Sequence, residues 1–186
     1  MTHSGEHSAR RRDNAEALAA FGVAVEDSNP DTVYRTIRSG EGASIFTIGY
    51  EGRSGDDLVA QLRDAGVDTL VDVRERPFSR KPDFRRKALE QLCVDAGIDY
   101  ESWTRVGSTG HQRVTLKATG DIREFMRRFR DFVKRGRDEE LDALAKRAEK
   151  GTIALLCYER SHDECHRCIV ADLLADRMDA TIVAIL

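Results

Sequence analysis

Apolar positions recur along the chain in two alternating rhythms: short β-branched runs, and longer stretches with apolar residues three or four apart. Residues 44–49 (SIFTIG) read as a strand ended by glycine. Ser54 then reads as a helix N-cap, with Asp57 three positions on in a capping-box arrangement, and Leu58, Val59 and Leu62 form a buried stripe as far as Gly66. Residues 69–73 predict a second strand, 84–96 a helix closed by Gly97, and 98–103 a third strand. A loop is expected over 104–120. Residues 121–135 read as a helix that buries Phe125, Phe129, Phe132 and Val133 and leaves Arg123, Arg127, Arg128, Arg130 and Lys134 outside. A further helix over 138–150, a fourth strand over 152–158, a helix over 165–177 and a last strand over 181–185 complete the pattern.

Strands alternating with helices of ten or more residues predict an α/β fold: a mainly parallel sheet of about five strands with helices on both faces. Before it lies an extension, residues 1–43. Its first 13 residues are polar and charged, 14–25 predict a short helix, 31–38 one more helical stretch, and Ser39-Gly40-Glu41-Gly42 a linker to the α/β domain of residues 44–186.

Ligands on such sheets bind beyond the carboxyl ends of the strands. That edge gathers Tyr50 and Glu51 after the first strand, Asp72 and Arg74 at the second, Trp103 and Arg105 after the third, and Cys157 and Glu159 after the fourth. Cys165, His166 and Arg167 open the last long helix, where free backbone N–H groups favour a thiolate and, together with Arg74, a phosphate or carboxylate. Cys157 and Cys165 are therefore candidate nucleophiles, or walls of a pocket. Asp72 and Glu159 are the acid/base candidates, although Asp72 could equally pair with Arg74. Cys93, among Leu89, Leu92 and Val94, reads as core. Cys157, His162, Cys165, His166 and Cys168 would suit zinc by ligand type, but C-x7-C-x2-C is not the spacing of paired knuckles, and no metal is assigned. The C-x-x-C of 165–168 lies too late in the domain for a thioredoxin-like motif. Phosphate-loop and G-x-G-x-x-G patterns are absent.

Charge changes this picture in one respect. The net charge of -3 conceals a basic middle, with 17 lysines and arginines against 9 acids between Arg74 and Arg137, which suits an anionic partner as well as a solvated helix surface. The N-terminus has no apolar signal core and no apolar run approaches the roughly 20 residues of a membrane span, so a cytoplasmic protein with reduced thiols is expected.

Three segments, TIGYEGRS (47–54), VDVRERPFSR (71–80) and LLCYERSHDECHR (155–167), in this order and at these separations, resemble the bacterial and archaeal domain of unknown function 488 family. The resemblance runs from about Ile45 to the C-terminus and implies a Rossmann-like α/β domain. Its shared residues correspond to Tyr50, Asp72, Arg74, Pro77, Ser79, Cys157, Glu159, Cys165, His166 and Arg167. GSTGHQRV (107–114) and Cys168 depart from the family pattern, and the resemblance brings no reaction with it. The expected function is an enzyme, or an enzyme-derived domain, taking a phosphate-bearing or other anionic ligand such as a nucleotide or nucleic acid. Arg74, Arg167, Tyr50, Ser79 and His166 are the ligand-binding candidates. The alternatives are a Cys/His metal or thiol sensor and a nucleic-acid adaptor using the basic helix 121–135. No cofactor is assigned.

Overall fold

The short apolar runs become strands and the longer periodic stretches become helices. The computed structural model describes residues 33–186. Its strands are β1 (Tyr34–Arg38), β2 (Ser44–Gly49), β3 (Thr69–Asp72), β4 (Asp99–Ser102), β5 (Ile153–Cys157) and β6 (Thr181–Ile185). Its helices are α1 (Gly55–Asp64), α2 (Arg86–Asp95), α3 (Gly110–Thr119), α4 (Ile122–Gly136), α5 (Asp138–Ala148) and α6 (Arg167–Met178). The strands form one sheet in the order β1-β6-β2-β5-β3-β4. All neighbours are parallel except β1, which runs antiparallel to β6. This is the expected mainly parallel, Rossmann-like α/β fold.

Every residue of β5 and β6 is buried, as parallel strands covered on both faces require. Alternate side chains separate into two cores. Ile45, Val71, Leu155 and Ile182 meet Phe129 and Val133 of α4, Leu141 and Leu144 of α5, and Ile169 to Leu174 of α6. Phe46, Leu70, Leu156 and Val183 meet Leu58 and Leu62 of α1, and Leu89 and Cys93 of α2. Cys93 is thus core, and burial pushes its thiol up to about 12.

Two elements differ from expectation. Residues 34–38 form an edge strand rather than a helical stretch, because Tyr34 to Arg38 carry tyrosine and β-branched residues that pair with Ile182 to Ile185. The expected 104–120 loop contains a 3-10 turn, Thr104–Val106, and helix α3. None of the residues of α3 is buried, so it leaves no apolar stripe to read; its start is set by a reciprocal cap between Thr109 and Gln112 and its end by Gly120 at φ 67°. The helix expected over 14–25 lies outside the described residues.

The chain leaves β2 through α1 for β3 on one side, and leaves β5 through α6 for β6 on the other. Adjacent β2 and β5 are therefore the switch point, where a parallel sheet opens a crevice beyond its carboxyl ends. Gly49 ends β2 directly beneath the segment that follows β5, and a Cβ there would overlap the Glu159 carbonyl. Gly49→Ala should therefore cost about 1–3 kcal/mol or more, since the obstacle is backbone on both sides; urea unfolding of wild type and variant measures it.

Candidate functional site

A crevice of about 420 Å³ opens at this switch point, within the usual range for small-molecule sites. Of the residues singled out from sequence, Tyr50, Arg74, Cys157, Glu159 and His166 line it; Asp72, Ser79, Cys165 and Arg167 do not. Sequence reading missed Glu75, Arg76, Phe78, Ser108, Arg113 and Tyr158, which complete the wall with Leu116, Phe125 and Glu164. Two signals were available: the basic-aromatic run RERPFSRK, and the T-x-x-Q cap that starts α3.

One wall is a buried ion pair. Arg74 Nε and Nη2 donate to the two Asp72 oxygens at 2.8 and 2.5 Å, while its Nη1 donates to the Tyr50 hydroxyl at 3.1 Å and the Phe84 carbonyl at 2.9 Å. Tyr100 donates to Asp72 Oδ2 at 2.7 Å and the Arg74 backbone N–H to Oδ1 at 3.1 Å. Burial alone would lower the Arg74 pKa, but the hydrogen bonds and charge of Asp72 outweigh it and raise it above the ordinary value. The Tyr50 ring stacks on Phe84 at 4.3 Å and lies 5.1 Å from the Arg74 guanidinium. Asp72 is fully buried, and each of its oxygens accepts two of these hydrogen bonds. Ser79 is also buried, and its hydroxyl accepts from the Lys81 backbone N–H at 3.1 Å.

Arg167 turns inward as well. Nη1 donates to the Glu159 carbonyl at 2.5 Å and Nη2 to the Arg160 carbonyl at 3.1 Å, while Nε is buried without a partner among the described residues. It therefore fastens the loop after β5 to the start of α6.

At the crevice floor Cys157, Glu159 and His166 form, with the buried Cys165, a cluster of two thiols, a carboxylate and an imidazole. Cys157 Sγ lies 3.4 Å from Glu159 Oε2 and 3.5 Å from His166 Nδ1, and Cys165 Sγ lies 4.0 Å from the same nitrogen. His166 Nε2 is 3.2 Å from the Val73 carbonyl, which can only accept, so the ring donates there and turns Nδ1 toward the sulfurs. Phe129 packs edge-on against the ring at 5.2 Å. Burial pushes Cys157 well up, with the neighbouring Cys165 adding to the rise. Burial also opposes ionisation of Cys165, but its hydrogen bond with Cys157 and the charges of His166 and Arg167 prevail, holding it well below an ordinary thiol. Burial, then the negative Cys165, raises Glu159 to about 7. Cys168 stays apart within α6, and burial lifts it to about 12. His162 is apart too: its Nδ1 meets Thr47 Oγ1 at 2.8 Å beneath the loop.

The sheet order defines a Rossmann-like α/β domain with a crevice at its carboxyl edge. Residues 54–174 match the model of the family described as "Domain of unknown function DUF488", and the chain belongs to that family. No curated protein and no solved structure matches the chain.

Asp72→Ala leaves the Arg74 charge buried and uncompensated, and should cost about 3–5 kcal/mol in urea unfolding. His162 supplies a pH dependence. Burial lowers its pKa from 6.5 to about 4, so the unfolded chain takes up a proton that the folded chain resists. This contribution is whole above pH 6.5 and is lost as pH falls toward 4, by at most about 3 kcal/mol. In His162→Asn the unfolding midpoint should fall less steeply over that interval than in wild type; equal slopes would refute the assignment.

Proposed function

We propose that the domain binds a phosphate-bearing ligand with an aromatic base, a nucleotide or one nucleotide unit of a nucleic acid, in the switch-point crevice. The observation carrying this reading is the pairing of exposed aromatic rings with a free cation at the crevice mouth. Phe78 is 68% and Tyr158 46% exposed, and both line the crevice beside Arg76. Arg76 is exposed and takes part in no ion pair among the described residues. It belongs to a segment, 74–87, running into the start of α2, with seven lysines and arginines against two acids; of these cations Arg80, Lys81, Arg85, Arg86 and Lys87 are also exposed.

Solvated rings offer stacking to any base, and neighbouring cations attract its phosphate. Arg74 and Arg167, first candidates for holding the anion, are committed to Asp72 and to backbone carbonyls, so the task passes to Arg76 and its loop. Helix α4 supports an adaptor role less well. Arg127 and Arg128 pair with Glu124, Arg127 also with Asp131, and Arg130 with Asp172, which neutralises much of its outer face.

Anisotropy titrations with labelled single-stranded oligonucleotides, competed by mononucleotides, test this. Phe78→Ala and Tyr158→Ala should each weaken binding by about five- to a hundredfold, the usual worth of one stacked base. Arg76→Ala should reduce the salt dependence by about one phosphate contact, and Arg127→Ala should change nothing. Wild type that binds none of these probes sinks the reading.

A further inference from the structure

The crevice floor has a second property that stands whether or not a nucleotide enters above it. We propose that Cys157, Glu159, Cys165 and His166 form a zinc-binding centre.

Their ligating atoms all lie within 4.8 Å of one another. With Zn–S near 2.3 Å and Zn–N or Zn–O near 2.0–2.2 Å, a tetrahedron places ligand atoms about 3.3–3.8 Å apart. The separations of 3.4 Å from Cys157 to Glu159 and 3.5 Å from Cys157 to His166 fall in that range, and 4.0 Å from Cys165 to His166 lies just above it. Zinc would draw the set together by up to about an ångström at its widest separation.

The imidazole is prepared for this task. Its Nε2–H is held by the Val73 carbonyl and its Nδ1 faces both sulfurs, the arrangement by which protein-bound metals fix the tautomer and ring orientation of a histidine ligand. Phe129 braces the ring from the side.

Placement accounts for the odd spacing. Cys157 ends β5, Glu159 follows in the loop, and Cys165 and His166 sit at the turn into α6, so the loop closes on itself around one point. Cys168 and His162, which would belong by residue type, point elsewhere: Cys168 packs against the α6 core and His162 bonds Thr47. Two soft thiolates and an imidazole select zinc over magnesium or calcium. Three of the four ligands are buried, while Glu159 is half-buried and lines the crevice, so the centre is reached from the ligand side.

The full chain, purified reduced and without added chelator, should carry about one zinc by elemental analysis. After stripping, cobalt(II) should give the visible absorption and sulfur charge-transfer bands of tetrahedral thiolate coordination, and zinc should bleach them. Competition against a chromophoric chelator should show Glu159→Gln weakened by about 10- to 100-fold, a loss comparable to that caused by removing one supporting group of a metal site. Cys165→Ser should lose the bands, and Cys168→Ser should match wild type. If Cys165→Ser does not fold, Glu159→Gln and Cys168→Ser decide alone, since neither residue is fully buried. A reduced wild-type chain with no zinc and no cobalt bands overturns the proposal. So does equal metal loss in Cys168→Ser and Glu159→Gln.

Discussion

The structure depends on two opposite charges sealed at the end of β3. A lone carboxylate or guanidinium in that position would cost several kcal/mol in lost hydration. Asp72 and Arg74 avoid this cost by satisfying each other twice, with Tyr50, Tyr100 and the Phe84 carbonyl taking the remaining bonds. Arg74 lies two residues beyond its partner, so in extended backbone both side chains fall on one face and the guanidinium reaches back to the carboxylate. The basic segment that follows runs along the carboxyl edge, and stacking of Tyr50 on Phe84 ties its far end to the residue after β2. The crevice wall is thus a consequence of how the charges are neutralised, not an independent feature.

The opposite wall solves a related problem with backbone instead of carboxylate. Arg167 is fully buried, and carbonyls of Glu159 and Arg160 receive its donors. The loop after β5 is thereby drawn onto the start of α6, and Gly49 permits the approach because it offers no Cβ to the Glu159 carbonyl. Both arginines that sequence alone would aim at a ligand serve in the fold as fasteners of the two walls.

Much of this was legible and some was not, for identifiable reasons. The parallel strands showed as apolar runs because both faces are covered, and β5 and β6 are buried throughout. The carboxyl edge followed from βα alternation, and with it the meeting of Tyr50, Arg74, Cys157, Glu159 and His166. Strand β1 escaped because an edge strand of five residues with two arginines has no apolar run, and α3 because it buries nothing. Pairing of Arg74 with Asp72 was one of the two readings open in the sequence, but the carbonyls of Phe84, Glu159 and Arg160 that take the remaining donors could not be read, because which carbonyls a loop presents depends on its folded path. The same holds for the thiols. Counting by residue type brought in Cys168 and His162 and left out Glu159, and spacing argued against a metal, whereas the turn from β5 into α6 gathers Glu159 with Cys157, Cys165 and His166.

Rim and floor therefore follow different rules. The rim, with Arg76 and Phe78 on the segment after β3 and Tyr158 on the segment after β5, is solvated. The floor is mostly buried, and its polar atoms are constrained by one another: Nε2 of His166 by Val73, Nδ1 by two sulfurs, and Cys157 by Glu159. Low dielectric makes such a set costly unless its charges balance, and two ionised thiols with a carboxylate balance only against a cation. Without metal, charge on His166, raised above its ordinary range by Cys165 against the opposing effect of burial, partly meets that need. A single imidazolium cannot offset three negative groups. Accordingly Glu159 is pushed toward its neutral form and Cys157 is held as a thiol, and these are the two groups that a divalent ion would release to ionise.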